Sequence, residues 1–438
     1  MRICARRSIL NIHAISLGCP KNRVDTERTL GSLGPVRMVE HTGRADLIFI
    51  NTCAFILPAV EESARTTLEV ITRRQRLKRR PPLAVAGCLV GRYGAKALAG
   101  DLPEVDLWLD NRELENWPTL LARALRRERA APGRLLSTGP SYAWLKISDG
   151  CRHNCAFCTI PAIRGPQHSI PLEELEREAR DLLDQGVREV VLVAQDVTAW
   201  GTDLGKRGGL ATLLERLLRF EGLGWLRLLY LYPAGITPRF LDFLRETASD
   251  DRLLPYFDIP LQHAHPEILA KMGRPFARDP RRVVDAVRAT LPDATLRTSL
   301  IAGFPGEEEW HFAALRDFVR EARFDHLGVF SYRAEEGTPA ADMSGRVPEA
   351  VREERRAELM RLQAKISAEK LKLLAGLRMR VLVDATHPDW PGLHTGRIWR
   401  QAPEIDGLTY VSGPGVRPGA MVEAEIVETR EYDLNALA

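Results

Sequence analysis

A chain of 438 residues with 45% hydrophobic and 27% charged residues has room for roughly two to four ordinary domains and is not the composition of a disordered polymer. Its 62 Lys and Arg against 58 Asp and Glu leave a net charge of +4, too mild to demand a nucleic-acid partner. No apolar run approaches the roughly 20 residues that span a bilayer, and the opening MRICARRSILNIHAISLGC has only a short apolar stretch interrupted by His13, so no secretory signal is read.

From 11 to 128, short apolar runs alternate with helical periodicity. IHAISLG (12–18), DLIFINT (46–52) and PLAVAGC (82–88) are apolar throughout and bounded by polar or turn residues, which reads as buried parallel strands; 59–77 reads as a helix between them. This is the pattern of a doubly wound parallel α/β domain. Residues 132–140, with their glycines and prolines, read as a linker. The alternation then resumes, longer and more regular. Strands are expected at 143–148, 189–194, 226–231, 256–260, 296–301 and 326–331, with amphipathic helices such as 171–185 and 238–248 between them. Six βα units in succession fit a full or partial TIM-like β/α barrel better than an open sheet, although periodicity alone does not separate the two. A long charged helix is expected over 348–374. After it, MRVLVDAT, HTGRIW, LTYVSG and AMVEAEIVE are short strands broken by Gly and Pro, the pattern of a small antiparallel β-barrel or sandwich. Domains are therefore expected at 11–128, 137–366 and 369–438.

The seven cysteines are Cys4, Cys19, Cys53, Cys88, Cys151, Cys155 and Cys158. An odd number without an export signal argues against a disulfide scaffold and for a metal or redox site in a reducing cytoplasm. LKISDGCRHNCAFCTIPAIRG puts Cys151, Cys155 and Cys158 just past the first barrel strand, on the face where barrel enzymes carry their catalytic loops. Structural zinc collects four ligands, often as paired C-x2-C units. Here the spacing is C-x3-C-x2-C with no fourth cysteine nearby, and His153, caught between two ligands in a tight loop, is poorly aimed. A [4Fe–4S] cluster on three thiolates fits better and leaves one iron open for a substrate or cofactor. Cys19, Cys53 and Cys88 are far apart in sequence, but each follows an apolar strand: ISLG, FINT and AVAG. The carboxyl ends of parallel strands share one edge, where ligands bind, so these three can converge. A cysteine can also simply fill a buried strand end; three at three strand ends speak for a second cluster site. Cys4 is left over, read as a free thiol in the terminus.

The C-x3-C-x2-C motif after the first strand of a β/α barrel resembles the radical S-adenosylmethionine (SAM) superfamily, in which SAM chelates the open iron and is cleaved by an electron from the cluster. With the second cysteine set and the terminal β-domain, the chain resembles the methylthiotransferases of that superfamily over nearly its whole length. The branch that modifies an aspartate of uS12, the ribosomal protein at the decoding centre of the small subunit, is matched most closely. The matching segments are SLGCPKNRVDTE (16–27), YAWLKISDGC (142–151), VAQDVTAWG (193–201), YFDIPLQH (256–263), GVFSYRAEEGTPAA (328–341) and APEIDGL (402–408). The tRNA-modifying branch usually opens closer to TYGCQMN, and Val197 is one small departure, at a position where that uS12 branch usually has Thr. The resemblance implies two [4Fe–4S] clusters, one on Cys151, Cys155 and Cys158 that cleaves SAM, and an auxiliary one on Cys19, Cys53 and Cys88 that carries the sulfur. It further implies a C-terminal TRAM domain that engages substrate, a low-potential electron donor such as flavodoxin or ferredoxin, a cytoplasmic enzyme with no membrane or tRNA partner, and both clusters facing one shared cavity.

Other residues carry weaker signals. Phe157, Gln195 and Asp196 are candidate SAM contacts, the last two because they end the second barrel strand on the catalytic face. Gln262 and His263 stand similarly after the fourth strand. The loop at Gly303, Pro305 and Gly306 offers backbone N–H groups to an anion, or merely shapes a tight turn. Arg164 pairs with a carboxylate, at a site or on the surface. RRQRLKRR (73–80) is either a ribosomal-RNA contact or a solvated helix end whose cations favour the C-terminal dipole. From 376 to 438 six arginines face nine acidic residues, a net of −3, which suits a basic protein substrate better than RNA. Two alternatives stay open: the same chemistry on a tRNA adenosine, and a non-catalytic iron–sulfur or zinc protein, including a two-cluster electron carrier.

Overall fold

The computed structural model describes residues 9–206, 209–274 and 279–438; Cys4 lies outside them. The chain divides into two compact units. The first runs to Ser137 and takes in Gly150–His153 and Cys158–Pro166; the second holds Thr138–Asp149, Asn154–Phe157 and Gln167–Ala438.

The first unit is a five-stranded parallel sheet of β1 (Leu10–Ser16), β2 (Val36–Met38), β3 (Leu47–Thr52), β4 (Leu83–Gly87) and β5 (Leu107–Asp110), in the order β2-β1-β3-β4-β5. Both faces are covered, which is why β3 and β4 are buried at every position and largely apolar. Leu47 and Phe49 of β3 pack on one side with Trp117 and Leu121, while Ile48 and Ile50 pack on the other with Val70 and Ile71 of the helix Leu57–Gln75. Each such side chain, taken from water to full burial, contributes about 1.5–3 kcal/mol. The apolar pattern anticipates β1, β3 and β4; β2, short and largely exposed, and β5 lie outside the expectation. The expected linker is only partly one. Leu135 N donates to Glu27 O, Ser137 N and Oγ both donate to Glu27 Oε1, and Arg134 pairs with the same buried carboxylate, so 134–137 is stitched to the first unit.

The second unit begins with a six-stranded sheet: β6 (Tyr142–Lys146), β9 (Glu189–Val193), β10 (Trp225–Leu228), β11 (Leu253–Asp258), β12 (Thr295–Ala302) and β13 (His326–Ser331). All are parallel and neighbour one another in chain order, a partial β/α barrel. A two-residue hairpin, β7 (Ser148–Asp149) with β8 (His168–Ser169), brackets the cysteine loop. The helix Glu349–Lys372 leads into a closed barrel of β14 (Arg378–Thr386), β15 (His394–Ile398), β16 (Thr409–Ser412), β17 (Met421–Thr429) and β18 (Leu434–Leu437). Its pairings are antiparallel except β16 with β18, which is parallel. A ring of five strands cannot alternate direction everywhere, so one parallel pair corrects the expectation of a wholly antiparallel barrel.

The C-terminal barrel is bolted to the amino-terminal ends of the β/α strands. Glu189, the first residue of β9, is fully buried and accepts from Arg227 of β10 at 2.6 Å and Arg397 of β15 at 2.5 Å. Asp406 accepts from the Tyr256 hydroxyl at 2.6 Å and lies 3.5 Å from Arg297 and 3.3 Å from His326. Glu404 accepts from the Tyr142 hydroxyl at 2.6 Å. Both acids belong to APEIDGL, so that segment forms the joint between the two barrels.

Candidate cofactor sites

Cys19, Cys53 and Cys88 stand at the carboxyl ends of β1, β3 and β4. The sheet order reverses between β1 and β3, and such a switch point opens the crevice where ligands bind in α/β sheets. Cys19 caps the helix Pro20–Gly31, its carbonyl accepting Asn22 N at 3.0 Å. Cys53 is clamped by Ser63, whose hydroxyl accepts Cys53 N at 3.0 Å and donates to Cys53 O at 2.7 Å. Cys88 opens the helix Cys88–Tyr93. Glycine precedes two of them for a steric reason. Gly18 has φ +84° and a Cβ there would stand 2.8 Å from Cys53 Sγ; Gly87 has φ +102° and its Cβ would stand 2.2 Å from Asn51 Oδ1. The close approach of neighbouring strand ends excludes any side chain.

N–H groups point at these sulfurs. Asn111 Nδ2 lies 3.4 Å and Arg164 Nη2 3.6 Å from Cys88 Sγ, and Cys19 takes backbone N–H bonds from Asn22 and Lys21. Asn22 ties the crevice together, donating to Leu17 O and Thr52 O at 2.9 Å each and accepting from Arg164 at 2.5 Å. The thiols feel one another. Burial, then the neighbouring Cys88 and Cys19, push the Cys53 thiol up to about 12. Burial acts the same way on Cys19, but the charges of Lys21 and Arg164 and the backbone N–H bonds outweigh it and hold that thiol below its usual range. Converging sulfurs with N–H donors aimed at them match the ligation of an iron–sulfur cluster. Among the described residues, the trio of His, Cys, Asp or Glu ligand atoms lying within 4.8 Å of one another is His265, Glu267 and His311. A single tetrahedral zinc ion, with Zn–S near 2.3 Å, needs sulfurs about 3.8 Å apart, and the Cys19, Cys53 and Cys88 sulfurs do not all lie within 4.8 Å of one another. The histidine trio is itself a hydrogen-bonded cap. His265 and His311 accept backbone N–H groups at Nδ1, at 3.3 and 3.0 Å, which leaves their protons on Nε2, the wrong tautomer for a metal there.

The second set sits in one short loop after β6. Cys151 N donates to Gly165 O at 3.1 Å and Thr159 Oγ1 donates to Phe55 O at 2.9 Å, both inside the first unit. Cys155 belongs to the second unit, where Arg274 Nη1 lies 3.7 Å from its sulfur; Arg274 also donates to Pro260 O at 2.6 Å and stacks over the Tyr232 ring at 4.7 Å. Burial first, and the Cys155 sulfur after it, push the Tyr232 hydroxyl well above its ordinary range.

At the carboxyl ends of β6 and β9, Gln195 Nε2 donates to Asp149 Oδ1 at 3.3 Å and Lys146 pairs with Asp149 at 3.0 Å. Gln195 Oε1 is buried without a hydrogen-bond partner among the described residues, the mark of a group waiting for a ligand donor. Asp196 accepts Thr198 N at 2.9 Å and Thr198 Oγ1 at 2.6 Å, capping the turn that follows β9. Phe157 is half-buried and packs against the core cluster that contains Ile268, Met272 and Phe304. The Gly303–Gly306 loop does not offer the anion cradle held open above: Gly303 N donates to Glu307 Oε2 at 2.9 Å and Gly306 N to Gly345 O at 2.8 Å. His263 lies buried 3.3 Å from Glu307, which Arg355 pairs at 2.8 Å, a prop for that loop. In the 73–80 run, Arg74 is bound to Pro81 O, Glu104 O and Asp106 and holds the fold, whereas Arg79 reaches Asp46 at 3.0 Å from an exposed position. Arg164 is no surface ion pair: it is buried and bonded to Asp25 at 3.2 Å.

Residues 11–110 match the uncharacterized protein family UPF0004, 145–319 the radical SAM superfamily and 375–438 the TRAM domain. The ribosomal protein uS12 methylthiotransferase RimO of Nitratidesulfovibrio vulgaris is 67% identical over 432 residues, covering 98% of this chain and all of that protein. RimO of Oleidesulfovibrio alaskensis is 60% identical with the same coverage. The chain belongs to the RimO family. It is a radical SAM methylthiotransferase, and SAM and [4Fe–4S] clusters are its cofactors. In fold it is similar to the radical SAM methyltransferase TsrM from Kitasatospora setae, with a TM-score of 0.56 at 15% identity, covering 88% of this chain and 80% of that one. Among the described residues no helix is long and apolar enough to cross a membrane. Sequence reasoning missed Asn22, Asn111, Tyr232 and Arg274. Only Asn22 had a local signal, three residues past Cys19 in SLGCPKN; the others reach their sulfurs through the fold.

Proposed function

We propose that this RimO-family chain replaces a hydrogen on the β-carbon of an aspartate of ribosomal protein uS12 with a methylthio group. Cys151, Cys155 and Cys158 hold the [4Fe–4S] cluster that binds SAM, and Cys19, Cys53 and Cys88 hold the second. Once bound, the clusters and SAM supply the one-electron chemistry and the transferred methylthio group; no side-chain base removes an unactivated C–H proton at neutral pH. The protein's share is placement. Asp149, fixed by Lys146, orients Gln195, whose Oε1 would accept a hydrogen bond from bound SAM. Arg274 and Tyr232 steady the Cys155 sulfur. Asn22 and Ser63 hold the strand ends so that Cys19, Cys53 and Cys88 converge. A low-potential donor such as flavodoxin or ferredoxin supplies electrons, and the setting is the cytoplasm.

The observation that carries this assignment is the full-length identity of 67% to a uS12 methylthiotransferase, combined with both cysteine sets standing at strand carboxyl ends. The test is the reconstituted holoenzyme with SAM and a chemical reductant, offered uS12 and tRNA in separate reactions. Mass spectrometry is expected to find one methylthio group for one hydrogen on a uS12 aspartate and nothing on tRNA. Product on tRNA alone would refute the choice of substrate.

A further inference from the structure

Each cysteine set has a buried arginine against one of its sulfurs, and neither is among the ligands. Arg164 is the better defined. Its side chain is 2% exposed, Nη1 sits 3.2 Å from Asp25 Oδ2, and Nη2 reaches both Asn22 Oδ1 at 2.5 Å and Cys88 Sγ at 3.6 Å. Asn111 Nδ2 adds a second donor to the same sulfur at 3.4 Å. Asp25 and Asn22 lie on the helix Pro20–Gly31 that Cys19 caps, so the guanidinium is held by the element that positions one cysteine and aimed at another.

A [4Fe–4S] cluster on three thiolates carries net negative charge, and reduction by one electron adds to it. In a buried crevice that added charge is costly unless a cation and N–H donors face it. Donors to a ligating sulfur and local positive charge are the levers by which a protein sets the potential of such a cluster. Arg164 supplies both, and Asp25 opposes it by cancelling part of its charge.

We propose that Arg164 is the charge partner of the cluster held by Cys19, Cys53 and Cys88, a positioning residue that raises the cluster's reduction potential through the Cys88 sulfur. The proposal rests on the cluster assignment made above. It also gives a role to a residue six positions past Cys158: the peptide carrying the last cysteine of one site delivers the cation of the other.

The test uses the full chain with Cys151, Cys155 and Cys158 changed to Ala, so that the N-terminal set alone loads. Iron content is matched, and the midpoint potential is read by electron paramagnetic resonance during titration with a low-potential chemical reductant, which delivers one electron with no bond made or broken. Arg164→Gln is expected to move the one-electron equilibrium at least about tenfold toward the oxidised form, about 59 mV downward. Arg164→Lys, which keeps the charge, should stay nearer the parent. Asp25→Asn, which frees the arginine's charge, should move the potential upward. An unchanged potential in both Arg164→Gln and Asp25→Asn, or shifts of the same sign, overturns the proposal. Should Arg164→Gln bind no iron, Asp25→Asn decides: an unchanged or lowered potential overturns it. A parent triple variant without iron would instead overturn the cluster assignment, and the proposal with it.

Discussion

Glu189→Ala is the sharpest test of how the two barrels are held together. Glu189 is 0% exposed, and its two carboxylate oxygens serve two guanidinia that are themselves 0% and 1% exposed. Truncation leaves both cations buried without that partner. Breaking one buried pair costs about 3–5 kcal/mol. Two pairs break here, but each arginine keeps another contact. Arg397 retains Asp384 at 2.7 and 2.9 Å, and Arg227 retains Trp399 O at 2.9 Å and the Tyr256 ring at 4.6 Å. The expected loss is therefore about 3–5 kcal/mol rather than twice that. Urea titration of the cofactor-free chain by tryptophan fluorescence measures the total, and hydrogen exchange of amides in 378–437 locates it, since a chain of several domains need not unfold in one step. The loss should depend on pH. Although burial opposes ionisation, Arg227 and Arg397 hold the Glu189 carboxyl below its ordinary 4.5. Its contribution is thus complete above that value and fades as pH falls below it. A companion variant, Glu189→Leu with Arg227→Met, Arg397→Met and Asp384→Asn, which leaves no carboxylate without its guanidinium, should return to within about 1 kcal/mol of the parent, because an uncharged set of similar volume avoids the desolvation cost. A Glu189→Ala loss under about 1 kcal/mol, or no recovery in the companion, would refute the reasoning.

Gly18→Ala or Gly87→Ala should cut iron from about eight per chain to about four, because the added Cβ collides with Cys53 or Asn51 in a backbone that already strains it; iron and sulfide analysis decides. Replacing Cys19, Cys53 and Cys88 together by Ala should leave reductive SAM cleavage to 5′-deoxyadenosine intact and abolish methylthiolation, whereas loss of both would mean one shared site. Burial holds His263 neutral despite Glu307, its value falling below the usual 6.5. The unfolded chain takes up that proton first, so stability should fall as pH drops from about 6.5 toward 5, and His263→Asn should flatten that slope in thermal melts.

How much of this was legible in the sequence depends on range. The six barrel strands and the three strand-end cysteines were readable because burial on both faces writes itself into consecutive residues, and C-x3-C-x2-C is local by construction. β2 and β5 were not: β2 has three residues, largely exposed, and β5 four residues with a single fully buried position, too little pattern to stand out. The Gly303–Gly306 loop left two meanings open because a sequence shows which N–H groups exist but not which are taken, here by Glu307 and Gly345. Arg164 was visible but ambiguous, since its carboxylate partner is 139 residues away. Arg274 lies 119 residues from Cys155 and left no trace.

The joint between the barrels also bears on substrate choice. Of the charged groups in 376–438, the ones engaged at the joint with the β/α barrel cancel: Asp384, Glu404 and Asp406 against Arg380, Arg397 and Arg400. The net of −3 is therefore carried by the rest, six acidic residues against Arg378, Arg417 and Arg430. Such a surface repels phosphate and steers a basic protein, an attraction that salt screens over about 10 Å at 0.1 M. This domain sits at the amino-terminal ends of strands such as β12, whose eight residues span roughly 26 Å, so it can guide a substrate without touching the reacting carbon. Raising ionic strength from about 0.05 to 0.3 M should then raise KM for uS12 several-fold with little change in kcat. A KM indifferent to salt, or a kcat that falls with it, would mean that the acidic surface plays no part in capture.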